Sequence, residues 1–167
     1  MAAELQFRLT GGSANSDPDA SLGGVMSANQ LSATALNNLF DNVSPDEATP
    51  GDTEYRMLDI FNSGDEAATS VEIFIDPQTS SADTSLEVGE DDTNNPHAAA
   101  ADLETIANES TPPASPVITF GEHGDAAKLV LPDIPVGQAC RVTLKRIVGA
   151  AAVNTSNDQA SLKVVFA

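Results

Sequence analysis

The run Gln138-Ala139-Cys140-Arg141-Val142-Thr143-Leu144-Lys145-Arg146-Ile147-Val148 alternates along its length. Cys140, Val142, Leu144 and Val148 fall on one side, and Arg141, Thr143 and Lys145 on the other. Successive side chains of an extended chain point to opposite faces, so this period of two predicts a β-strand with the first set inward and the second outward. Ile134-Pro135-Val136-Gly137 reads as a tight turn feeding that strand.

Working outward, the same period recurs. Residues 53–63 place Tyr55, Met57, Asp59 and Phe61 on one face and Arg56, Leu58 and Ile60 on the other. Both faces carry apolar groups, which predicts a strand lying between two covering layers. Val71, Ile73 and Ile75 alternate with Glu72, Phe74 and Asp76, and Leu86 with Val88 forms a shorter strand. Short strands are expected at 117–120 and 128–131, and Leu162, Val164 and Phe166 mark the last one. Near the start, Leu5, Phe7 and Leu9 alternate with Gln6, Arg8 and Thr10 until Gly11-Gly12 stops the run. Residues 13–24, rich in Ser, Asn, Asp, Pro and Gly, read as a loop.

Helix signals are few. Leu36, Leu39 and Phe40 sit at helical spacing within 31–40, with Ser32 placed to cap it. Residues 98–107 are Ala-rich and helical on propensity alone. Roughly eight or nine short strands separated by turn signals predict a mainly β chain, a β-sandwich or jelly-roll-like domain with at most one short helix. The sandwich is expected over 53–167, preceded by an N-terminal strand, loop and arm over 1–52, the whole forming one compact unit.

Composition limits what such a domain does. Leu, Ile, Val and Phe number 38 of 167 residues, just above the roughly 20% below which charged chains stay disordered. The core is therefore expected to be thin. A net charge of −18 repels nucleic-acid phosphates and anionic lipid, so neither nucleic acid nor membrane is an expected partner. The first ten residues show no basic stretch followed by an apolar one, so no secretory leader is expected. The lone Cys140, alternating with apolar neighbours, is expected to be a buried, inert thiol.

No catalytic constellation is legible. His97 and His123 both fall in polar segments expected to be loops, with no nucleophile pattern beside them. One Cys and two separated His leave no ligand set for structural zinc, and no phosphate-binding loop is present. The chain is therefore expected not to be an enzyme and to hold no cofactor. For metals, Asp17, Asp19, Glu90, Asp91 and Asp92 are candidates for calcium, which takes about six to eight oxygens, although neither stretch matches the EF-hand or RTX spacing. The basic stripe Arg141, Lys145 and Arg146 reads either as a strand pairing with local acids or as a docking edge for an acidic neighbour.

Four segments carry a family resemblance: Gly51-Asp52-Thr53-Glu54-Tyr55-Arg56, Ser81-Ala82-Asp83-Thr84-Ser85-Leu86-Glu87-Val88, Ala107-Asn108-Glu109-Ser110-Thr111-Pro112-Pro113, and Leu131-Pro132-Asp133-Ile134-Pro135-Val136-Gly137-Gln138. Together the chain resembles the small β-rich virion structural proteins of tailed bacteriophages. The resemblance implies a non-enzymatic virion component, made in the host cytoplasm, partnered by the major capsid protein or tail subunits and by copies of itself. Capsid decoration that cements the head is the first expectation, and a tail, neck or baseplate subunit is the alternative. A calcium-dependent binding module is a further one. Expected interface residues are Leu5, Phe7 and Leu9 in the first strand, with Arg141, Lys145 and Arg146.

Overall fold

The computed structural model describes residues 2–167. The chain is mainly β, with ten strands among these residues: β1 (Leu5–Leu9), β2 (Gly23–Val25), β3 (Asp52–Asn62), β4 (Glu72–Ile75), β5 (Thr84–Glu90), β6 (His97–Ala98), β7 (Asp102–Thr105), β8 (Leu129–Val130), β9 (Gln138–Val148) and β10 (Leu162–Val165). Among the described residues helix is limited to a 3-10 turn at Pro18–Ala20 and a single turn, α1 (Pro45–Ala48). Ser44 caps α1 reciprocally with Glu47, and Pro45 supplies a first-turn φ that costs no hydrogen bond. Among the described residues no helix is long and apolar enough to cross a membrane.

The main sheet runs β1-β3-β9-β5, with β6 also paired to β9, and every pairing is antiparallel. Its centre is the β3–β9 ladder, which sets Leu58 opposite Val142 and Ile60 opposite Cys140. A second antiparallel sheet runs β10-β4-β8. Val71, Ile73 and Ile75 at β4 share one apolar core with Leu58, Ile60, Val88, Cys140, Val142 and Leu144 of the main sheet. Two sheets closing on one core give a sandwich-like arrangement.

The opposite face of the main sheet is covered too. The β2–β7 ribbon lies there, and Tyr55, Met57 and Ile106 form a second, smaller core with Leu22 and Phe120 packed against it. Gly23 makes the close approach possible: its φ is +106°, and a Cβ would lie 2.0 Å from the Glu104 carbonyl oxygen and 2.9 Å from Met57 Sδ. The central strands are thus buried on both sides, as the doubly apolar pattern of residues 53–63 predicted for β3; for β9 the expected outward set is corrected, because Arg141 and Thr143 are buried under the second layer.

The N-terminal segment folds back onto the rest. β1 extends the main sheet, its outer side bonds to residues 27–31, and Leu9 and Leu39 join the main core. Two helix expectations are corrected. Residues 31–40 form bends, with Leu36 and Asn37 at positive φ (65° and 51°), which breaks any helix there. Residues 98–107 hold β7 and the end of β6, because Ala101 closes a turn onto Ala98 and the segment pairs with β2.

Candidate functional site

A half-open cleft of about 1400 Å³ is lined by β1, by residues 30–49 and by the chain just before β10. Leu58, Leu86 and Leu144 line it from the main sheet, and Leu36, Phe40 and Val43 from the strap formed by residues 31–43. Leu36 and Val43 are exposed, so the strap presents apolar groups to solvent as well as to the cleft.

Asp41 and Arg146 also line the cleft, and they belong to a charged cluster. Glu54, Arg56 and Arg146 follow the same parity as Leu58 and Val142, so the ladder directs them to the core side. All three are buried. Arg146 donates to Glu54 Oε2, to the Asp41 carbonyl oxygen and to Asp41 Oδ1 (3.2 Å). Arg56 donates to Glu109 Oε2 at 2.5 Å and approaches Asp19 Oδ1 at 3.4 Å. The Phe40 ring centre lies 5.5 Å from the Arg56 guanidinium and 5.1 Å from that of Arg146. A guanidinium over an aromatic face is favourable, and here it helps hold the strap down. Burial pushes the Glu54 carboxyl up; Arg146 opposes this, while the charges of Glu109 and Glu47 add to it.

A second polar cluster sits on the ribbon side. Arg141 grips Asp59, and its Nη2 also donates to the Gly24 carbonyl oxygen at 2.8 Å, tying the ribbon to the main sheet. His97 Nε2 lies 3.2 Å from Asp59 Oδ1, and its Nδ1 lies 3.0 Å from the Ala98 carbonyl oxygen. His97 is thus buried in β6 and locked at both ring nitrogens, not placed in a loop as the sequence suggested. His123 does lie in a loop, with Nδ1 3.2 Å from the Ala127 carbonyl oxygen. Cys140 is a buried free thiol in the main core, and burial pushes its pKa up to about 12.

The sequence-predicted interface residues are placed differently from the expectation. Arg141 and Arg146 are buried in the strand at the centre of the sheet, and Lys145 pairs with Glu87 at 2.8 Å. The stripe is therefore not an edge: β9 has a strand on either side, and its bases face acids of the same chain. Leu5 and Phe7 are half-buried against the main core, and Leu9 is fully within it.

The expected calcium candidates are not gathered either. Asp17 caps the 3-10 turn, and Asp19 leans toward Arg56. Asp91 is buried and accepts from the Asn94 backbone and side chain, Asp92 accepts from Thr93, and Glu90 is half-buried. Among the described residues, the group of three carboxylates whose oxygens all lie within 4.8 Å of one another is Asp41, Glu47 and Glu54. Sequence spacing alone hides that group, because its members sit on the strap, α1 and β3.

Set against family models, curated proteins and solved structures, the chain matches none.

Proposed function

We propose that this protein is a non-enzymatic virion structural subunit of a tailed phage, seated on the head as a decoration protein that cements neighbouring capsid subunits. The supporting observation is how the chain spends its positive charge. Of its seven Lys and Arg residues, Arg56, Lys128, Arg141, Lys145, Arg146 and Lys163 all pair with carboxylates of the same chain. Three of them, Arg56, Arg141 and Arg146, are buried. The exterior is left strongly acidic over a stiff, two-sided sheet. Such a surface suits docking on a basic patch of a shell, where charge complementarity sets specificity and register. The polar clusters at Asp59 and Glu54 brace the fold by cross-linking its central strands. The family resemblance supports the same reading.

Immunogold labelling of intact virions with antibody against this chain tests it. Gold distributed over the heads is the expected result. Gold confined to the neck, tail or baseplate replaces the decoration assignment with a tail role, and particles without label remove the virion assignment.

A further inference from the structure

We propose that Asp41, Glu47 and Glu54 form a binding site for a hard divalent cation of the calcium or magnesium class. This proposal is independent of the virion reading. The three carboxylates arrive from separate elements and bring ligand oxygens within 4.8 Å of one another. Each has one oxygen already engaged. Glu54 Oε2 and Asp41 Oδ1 accept from Arg146, and Glu47 Oε2 accepts from the Ser44 backbone N–H at 2.6 Å. The second oxygen of each forms no hydrogen bond among the described residues.

Glu54 supplies the observation that points to a ligand. Its side chain is 1% exposed, and its Oε1 is buried with no hydrogen-bond partner. A buried carboxylate oxygen left unpaired carries its full desolvation cost, which a coordinated ion removes. The charge count agrees: three carboxylates and the Arg146 guanidinium leave two negative charges, which one divalent ion neutralises. The donor set is all oxygen, with no imidazole or thiolate, so it selects a hard cation over zinc. Asp41 and Arg146 both line the cleft, so the ion would clamp the end of the strap and α1 onto the central strand β3.

The test uses the full chain freed of metal with chelator, then titrated with CaCl₂ and separately with MgCl₂ by calorimetry and thermal melting. The expected result is one site, and a Tm rise of about 3–6 °C at roughly tenfold excess over Kd. Asp41→Asn, at an exposed position that leaves the core intact, is expected to abolish the response, as is Glu47→Gln. Asp92→Asn, in the acidic 90–95 loop, is expected to keep it. The proposal is overturned if neither ion produces heat or a Tm shift up to about 10 mM, well above the weakest calcium modules. It is overturned equally if the response survives both Asp41→Asn and Glu47→Gln, or disappears only in Asp92→Asn.

Discussion

Asp59 and Arg141 are register partners across β3 and β9, and their side chains meet in a buried two-point contact: Nε donates to Oδ1 at 2.7 Å and Nη2 to Oδ2 at 2.8 Å. The fork geometry of the guanidinium matches the carboxylate, and His97 completes the cluster from β6. One basic residue thereby joins the main sheet, the β6 edge and the β2–β7 ribbon.

Removing the acid from that contact leaves a guanidinium buried without its counter-charge. Asp59→Asn is expected to cost on the order of 3–5 kcal/mol, read as a lower midpoint in urea unfolding. Replacing both partners by apolar residues, Asp59→Leu with Arg141→Met, is expected to recover much of the loss, since well-packed apolar pairs rival buried ion pairs. A single variant within about 1 kcal/mol of the parent contradicts a buried, paired Asp59.

Acid titration follows from the same contact. Burial alone would raise the Asp59 carboxyl, but hydrogen bonds from Arg141 and His97, with their charges, hold it below its ordinary 3.8. A depressed folded pKa contributes stability that is complete above the unfolded value and lost as pH falls through the folded one. The stability gap between the parent and Asp59→Asn is therefore expected to be flat above roughly pH 5 and to narrow in more acidic solution. A gap that widens on acidification has the wrong sign.

Cys140 offers a probe of opening. Burial, with smaller contributions from the charges of Glu90 and Asp59, pushes its thiol up to about 12. Alkylation at pH 8 is expected to be at least ~1000-fold slower in the folded chain than in denaturant, because the thiolate is scarce and inaccessible. Mass spectrometry of the modified fraction reads this directly, and comparable rates in both states contradict the buried placement.

The first strand is expected to matter for folding. Leu9 is 2% exposed within the main core, so Leu9→Ala is expected to cost about 2–5 kcal/mol, measured by thermal or urea unfolding. Deleting residues 2–12 removes that contact, the β1–β3 pairing and the buried Thr10 bonds to Ser21 and Met57. The truncated chain is expected to melt earlier than the parent, and an unchanged Tm shows that β1 is a dispensable appendage.

Much of this was legible in alternation. The inward set Cys140, Val142 and Leu144, the doubly covered strand around Leu58 and the strand at Val71 to Ile75 all read directly, because burial on a sheet imposes a strict parity. Parity also held information that went unused: Arg146 is out of phase with Arg141 and Lys145, so the three never shared a face. What alternation does not reveal is a strand's position in the sheet. Whether β9 is central or at an edge depends on partners more than 50 residues away in sequence, such as Glu54 and Glu87. The strap failed for another reason. Leu36, Leu39 and Phe40 mimic a helix period, yet Phe40 is placed by two arginines from other strands. The cluster of Asp41, Glu47 and Glu54 is likewise tertiary, with Glu54 hidden as one more acid among 25.

The two-sided cover of the main sheet sets an order of opening. Amide protons of the β3–β9 ladder lie under one layer of packed side chains on each face and between hydrogen-bonded neighbours on both flanks. Their exchange with deuterated solvent needs the whole sandwich to come apart, whereas amides in the bends of 31–43 exchange through local fluctuation. Exchange is thus expected to begin in the bends, which are pinned at Leu39, Phe40 and Asp41, and to reach the central ladder last.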